Sequence, residues 1–331
     1  MSTEQLQAAL RSDGRYKTSF SELDAFRQCP LKWWARYALR LQSPGSKPAL
    51  ERGSAWHEIL EAHYQVLKDG GELGDCVEAL APVLGGIQDR LGYDVATLLL
   101  WMYQGYIDYY GDDKDWEILA IEHAFDTPLA MYNPALGGPK IELVMGGKID
   151  LVARDRMKRT WVWDHKTKGN KDASGAAWSR DVQLEDQFGI YQKALNESQE
   201  FGPIFGVIYA VARTDKLKRA MTDTERFARH KTFRGEQELE ALWKDAATTA
   251  AQMLRVLETG EGLYSSPDAD RCGWRCDALE PHLLSRSSGR PFEDTLLQFN
   301  WTKRRDYRDR TGPEEAIARI ASKEERRAVG L

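Results

Sequence analysis

Two short stretches hold the side chains best suited to chemistry. In Trp161-Val162-Trp163-Asp164-His165-Lys166 the β-rich composition predicts a strand. Its period of two puts residues 164 and 166 on one face and 161, 163 and 165 on the other. An Asp and a Lys therefore project together from an otherwise apolar strand, where burying either without a partner is costly. A preceding stretch, Gly147-Lys148-Ile149-Asp150-Leu151-Val152, offers a second carboxylate in a comparable setting. Neighbouring strands lie about 4.8 Å apart, so adjacent pairing would let Asp150 and Asp164 share one divalent cation. Hard oxygen ligands of this kind suit Mg2+ or Mn2+. Such an ion polarises a phosphate and acidifies a bound water, with Lys166 placed to position that water and balance charge. Taken alone, Asp-x-Lys is more often a plain ion pair at a strand end.

The flanking elements must carry these residues. Residues 52–68, RGSAWHEILEAHYQVLK, have apolar positions at helical spacing and end at Gly70-Gly71, which puts His57 on an amphipathic helix. Alone, such a histidine is more often packed core than ligand. Gln187 and Tyr191 are four apart in a helix predicted over 181–198 and so share one face. An amide and a phenol side by side can hold a phosphate backbone or buttress the lysine. Thr167 and Lys168 lie close enough in sequence to contact phosphate. Further upstream, Ser21 with Asp24 reads as a capping box for a helix through Phe26, and Pro30 opens a second helix. Helices are also predicted near 75–90 and 94–110. From Trp116 the pattern turns to strands, EILAIEHAF, IELVMGGKIDLVAR and TWVWDHKT, then a helix and the buried strand PIFGVIYAVAR. Residues 215–260 read as helical. The expected organisation is a helical region over 1–115 carrying Cys29 and His57, an α/β core over 116–285, and a polar tail over 286–331.

In order along the chain, these motifs resemble the RecB-like branch of the PD-(D/E)XK nucleases, which includes CRISPR-associated adaptation nucleases and phage exonucleases. The resemblance runs from Thr18 to His282. It begins with SFSELDAFRQCPLKWW and continues with Gly53-x3-His57-x2-Leu60-Glu61. Glu122 follows on the first core strand, then Gly147-x2-Asp150, Asp164-His165-Lys166-Thr167 and Gln187-x3-Tyr191. The resemblance implies a restriction-endonuclease-like α/β core with a mixed central sheet flanked by helices. It implies a catalytic set of Asp150, Asp164, Lys166, Gln187 and Tyr191. The metal set would be His57, Asp150, Asp164, the backbone carbonyl of His165, and Glu122. Many relatives also close the domain with an iron–sulfur cluster on one early and three late cysteines. Cys29-Pro30, Cys272 and Cys276 match three positions, and His282 stands at the fourth. A 4Fe–4S cluster, zinc, or no metal remain open for that set.

Composition sets wider bounds. Of 331 residues, 42% are hydrophobic and 29% charged, with no apolar run near the roughly 18 residues that span a bilayer. No signal-peptide pattern opens the chain, so a cytoplasmic protein is expected. Four cysteines at uneven positions argue against structural disulfides there. Net charge is −5, but basic runs at 216–219, 226–231 and 303–310 are either solvated surface or the lining of a DNA groove. The expectation is a Mg2+- or Mn2+-dependent DNA nuclease of the kind phages carry, end-dependent on single-stranded or duplex ends, in recombination or repair. The alternatives are a structure-selective endonuclease, a non-catalytic DNA-binding scaffold, or an RNA-processing nuclease. Scaffolds usually lose the lysine or a carboxylate, and both are retained. No Gly-x4-Gly-Lys-Ser/Thr motif occurs, so any unwinding falls to a partner helicase or recombinase.

Overall fold

In the computed structural model of the chain, which describes residues 3–45, 47–169, 173, 182–214, 221–268, 270, 272–273 and 276–303, local capping decides where the early helices start. After α1 (Thr3–Ala9) and β1 (Tyr16–Thr18), α2 (Phe20–Gln28) opens at Ser19. Its hydroxyl accepts the backbone N–H of Glu22 at 3.3 Å. The cap is Ser19 and not Ser21, because Ser19 has the extended backbone a cap needs while Ser21 is already helical. Pro30 sits in the first turn of α3 (Pro30–Trp33), which a wider π turn continues over Trp34–Ala38. Next come β2 (Leu41–Gln42), α4 (Pro48–Lys68), α5 (Leu73–Leu91) and α6 (Tyr93–Tyr110). α5 opens on a capping box between Glu72 and Asp75.

The strands follow: β3 (Trp116–Tyr132), β4 (Ile141–Asp155) and β5 (Thr160–Lys168). α7 (Asp186–Ser198) crosses over to β6 (Ile204–Arg213), which is why β5 and β6 pair in parallel. α8 (Asp223–Arg226), β7 (Phe227–Thr232) and α9 (Glu236–Thr259) complete this stretch. The chain then forms α10 (Leu279–Ser288), α11 (Phe292–Gln298) and β8 (Thr302–Lys303). The order in the six-stranded sheet is β1-β4-β5-β6-β7, with β3 also on β4. Parallel and antiparallel pairs occur together. The fold is thus a mixed α/β architecture with a central mixed sheet flanked by helices.

Two compact units divide these elements: Met1–Ser46, Phe125–Gly147 and Ala241–Leu331 in one, Lys47–Ala124 and Lys148–Glu240 in the other. In the second, Trp161 and Trp163 on β5 are buried with Trp56, Ile59 and Leu60 of α4 and Leu99 and Met102 of α6. In the first, the buried Glu22 carboxylate accepts the Tyr16 hydroxyl at 2.9 Å and the Trp33 indole N–H at 3.0 Å. Leu296 and Trp301, from a segment that reads as polar, are buried there with Ala35 and Leu41.

The stretch 215–260 is not helical throughout, because β7 lies inside it. Sheet pairing wins over local propensity: β7 pairs antiparallel with β6 from Val207↔Thr232 to Ala212↔Phe227. Of the basic runs, 216–219 and 304–310 lie outside the described residues, as does the tail beyond 303. In the run at 226–231, Arg226 and Arg229 turn inward while Lys231 stays exposed. Arg226 lies 4.5 Å over Trp101 against Gly105, where any side chain would collide with the guanidinium. Arg229, with 14% of its side chain exposed, pairs with the buried Asp113. Among the described residues no helix is long and apolar enough to cross a membrane.

Candidate active site

The site begins where the β4–β5 ladder ends. Paired residues run from Arg154↔Thr160 to Leu151↔Trp163, one step short of Asp150 and Asp164. The backbone N–H of His165 donates instead to Asp150 Oδ2 at 2.7 Å, so β5 holds that carboxylate directly. Because the tryptophans pin the odd face of β5 into the apolar core, Asp164 and Lys166 are left for the other face. There Lys166 Nζ donates to Asp164 Oδ1 at 2.8 Å, and Gln187 Nε2 on α7 reaches the same oxygen at 3.5 Å. Asp164 has only 6% of its side chain exposed, whereas Lys166 has 36% and so reaches solvent.

His57 on α4 faces Asp150 and a further carboxylate, Glu122. Its Nδ1 lies 3.2 Å from Asp150 Oδ1 and 3.9 Å from Glu122 Oε1. Glu122 arrives there through a left-handed backbone, φ 50°, inside β3. For a residue with a side chain that conformation costs about 1 kcal/mol or more, strain of the kind that collects at functional sites. Its other oxygen takes the ammonium of Lys148. Behind this layer the His165 ring stacks on Tyr64, 5.8 Å between centroids. The Tyr64 hydroxyl donates to Asp113 Oδ2 at 3.0 Å.

The electrostatics follow from crowding acids into a half-buried cleft. Burial opposes charge on His57, but hydrogen bonds to Asp150 and Glu122 outweigh it and lift the imidazole to about 10. Burial likewise opposes the Asp150 carboxylate, yet His57 holds it down at about 2. Asp164 is raised, chiefly by burial and then by Asp150, against the pull of Lys166. Lys166 is raised despite its burial, by Asp164 and Asp150, and stays an ammonium. Burial drops His165 to about 3 and His63 to about 4, so both are neutral packing groups. Tyr191 is pushed up to about 12, mainly by burial and then by Asp164.

This donor set fits a divalent cation. One ligand atom from each of His57, Glu122 and Asp150 lies within 4.8 Å of the others. Octahedral ligands at ~2.1 Å from a small cation sit about 3 Å (cis) or about 4.2 Å (trans) apart, a range that includes the 3.2 and 3.9 Å separations at His57. Asp164 Oδ2 is also buried and accepts no directed hydrogen bond, although Lys166 Nζ is 2.8 Å away.

Of the residues singled out in the sequence, the structure therefore gathers His57, Glu122 and Asp150 in one cluster. Asp164, Lys166, Gln187 and Tyr191 form a second, joined to the first through His165. Among the described residues, Cys29, Cys272, Cys276 and His282 are not gathered within 4.8 Å of one another. Cys29 Sγ accepts the Ser266 N–H at 3.5 Å, and Cys272 Sγ accepts that of Asp268 at 3.5 Å. Lys148, Tyr64 and Glu61 escaped the sequence reading as site residues. Glu61 and Tyr64 line the cleft with His57 and Asp150. The i,i+4 spacing of His57 and Glu61 was the available signal.

A family model described as the PD-(D/E)XK nuclease superfamily matches residues 17–278. No curated protein matches the chain. Among solved structures, SSO0001 is similar at 11% identity and a TM-score of 0.31, over 82% of this chain and 88% of that one. A candidate exonuclease from Eubacterium rectale is similar at 10% identity and a TM-score of 0.45, over 88% of this chain and 99% of that one. At these scores the two structures add nothing to the family match.

Proposed function

Because the chain belongs to the PD-(D/E)XK nuclease superfamily, we propose that it hydrolyses DNA phosphodiester bonds with Mg2+ or Mn2+, working inward from DNA ends. The observation that supports this reading is one arrangement: the His57–Glu122–Asp150 cluster abuts a strand whose next carboxylate carries a charged, partly exposed lysine. His57, Glu122 and Asp150 would hold the cation, with Asp164 and the main-chain oxygen of His165 as further ligands. When bound there, a divalent cation supplies Lewis-acid polarisation of a phosphate oxygen.

The chain's own residues supply the rest. Lys166 remains protonated, so it acts by charge and hydrogen bonding on the phosphate and the attacking water, not as a base. Asp164 aims that ammonium, Gln187 on α7 reaches Asp164 in turn, and Tyr191 is hydrogen-bonded to Gln187. Action from ends, a place in recombination or repair, an iron–sulfur clasp and a helicase or recombinase partner rest on the motif order that resembles the RecB-like branch.

Digestion of end-labelled linear and covalently closed circular DNA with Mg2+ or Mn2+ tests the proposal. Linear DNA should be consumed progressively while circles survive, and chelator should stop the reaction. Rapid linearisation of the circle would make the protein a structure-selective endonuclease. Equal cleavage of RNA would overturn the assignment to DNA.

A further inference from the structure

We propose that the cleft at the opposite end of β5 from Lys166 is a nucleotide-binding site, taking an aromatic base together with its phosphate. The cleft has a volume of about 690 Å³ and is floored by the first residues of β5 and β6, Thr160, Ile204 and Phe205. Six steps of extended strand separate Thr160 from Lys166, about 20 Å, so this is not the reaction centre.

Three features point to a nucleotide. The first is an aromatic platform. Phe205 is 42% exposed on a strand otherwise buried, because the β5–β6 register shifts between Thr160 and Trp161 and turns its side chain outward. Trp161 and Phe233 hold the ring from the side at 5.1 and 5.4 Å, and the Arg159 guanidinium lies 4.7 Å over it. A ring kept in place yet open to solvent is what base stacking uses.

The second is cationic. Arg154 and Lys158 on the rim share a single half-exposed carboxylate, Glu117, at 3.5 and 3.3 Å. Two cations on one acid leave positive charge on that rim for a phosphate, while Glu236 brings one carboxylate to the rest of the lining. The third lies deeper. Arg234 has 2% of its side chain exposed, and its Nη1 has no hydrogen-bond partner; the buried Gln192 Oε1 has none either. Both residues line the cleft. Leaving a buried donor and acceptor unmet is costly, and a base edge presents both complements.

The base and phosphate could come from the DNA strand or from a free nucleotide. The proposal does not depend on the catalytic reading, because it is tested in chelator, where nothing is cleaved. The full-length protein is titrated with dAMP, dTMP, inorganic phosphate, and single-stranded oligonucleotides of about 4 and about 16 nucleotides, the range one single-strand-binding fold covers. Phe205→Ala and Lys158→Gln are compared with the parent, and thermal melts confirm folding. The parent should bind nucleotides more tightly than inorganic phosphate. Phe205→Ala should weaken that binding about fivefold or more, as loss of a stacking partner does. Lys158→Gln should lower the salt slope of oligonucleotide binding by about one. If mononucleotides lose affinity, the ligand is a free nucleotide; if only the longer oligonucleotide does, it is the strand. Should Phe205→Ala melt early, Phe205→Leu keeps the bulk without the aromatic face and gives the same comparison. Binding of every ligand at parental affinity by the variants would overturn the proposal. So would phosphate binding as tightly as nucleotides, or no binding at all.

Discussion

Asp113→Ala removes the counter-charge of Arg229, a largely buried cation packed behind the candidate site. Arg229 Nη1 and Nη2 lie 2.7 Å from the two Asp113 oxygens, a fork-to-fork pair. The guanidinium is otherwise packed 3.6 Å over Tyr110 and 4.5 Å over Trp163, and Nη2 also donates to the Tyr106 hydroxyl at 3.0 Å. Removing the carboxylate leaves a buried charge with only rings and one phenol around it. Breaking such a pair costs about 3–5 kcal/mol. Loss of the Tyr64 hydrogen bond to the same carboxylate adds about 1 kcal/mol. The double variant Asp113→Ala, Arg229→Met removes charge and counter-charge together and should recover most of the loss. Urea denaturation followed by tryptophan fluorescence, run as a double-mutant cycle, reads both quantities. A cost below about 1 kcal/mol, the range of exposed pairs, would refute the reasoning. Strict additivity of the two substitutions would refute it equally, since it would leave no coupling between them.

Lys166→Ala should reduce cleavage by about 10²-fold or more, the scale for losing a preorganised charge, with the urea midpoint little changed; cleavage at the parental rate by the folded variant would remove Lys166 from the reaction. His57→Ala should raise the metal concentration needed for activity about tenfold or more. In the parent, His57 must shed a proton held at about 10 before it can donate to a metal, so apparent metal affinity should climb as pH rises from 6 toward 9 and that climb should vanish in the variant; a lowered melting temperature with unchanged metal dependence would make His57 a packing residue. If Cys29, Cys272, Cys276 and His282 close into the proposed clasp, anaerobically purified protein should contain iron that Cys272→Ser loses; protein holding neither iron nor zinc would remove the clasp and leave the nuclease assignment untouched.

Periodicity made the main lines of the site legible from the sequence. The alternation of Trp161 to Lys166 already separates an apolar face from an Asp–Lys face, and helical spacing already puts His57 on α4 and pairs Gln187 with Tyr191. These relations lie within one element, and backbone geometry alone sets them. What lies between elements was not legible. The Asp113–Arg229 pair spans 116 positions and exists only because β7 pairs with β6 in its observed register. The same pairing made a strand of a segment whose local pattern reads as helix. Tertiary structure alone turns Glu122 toward His57 through a left-handed backbone, and turns Phe205 outward through a register shift. It also buries Leu296 and Trp301 from an apparently polar segment. The physical reason is common to all of these. A side chain's local preferences are worth a fraction of a kcal/mol per residue, while burial of a large apolar side chain or pairing of a buried charge is worth about 2–5 kcal/mol. Where the two conflict, the larger free energy decides, and it belongs to the tertiary contact.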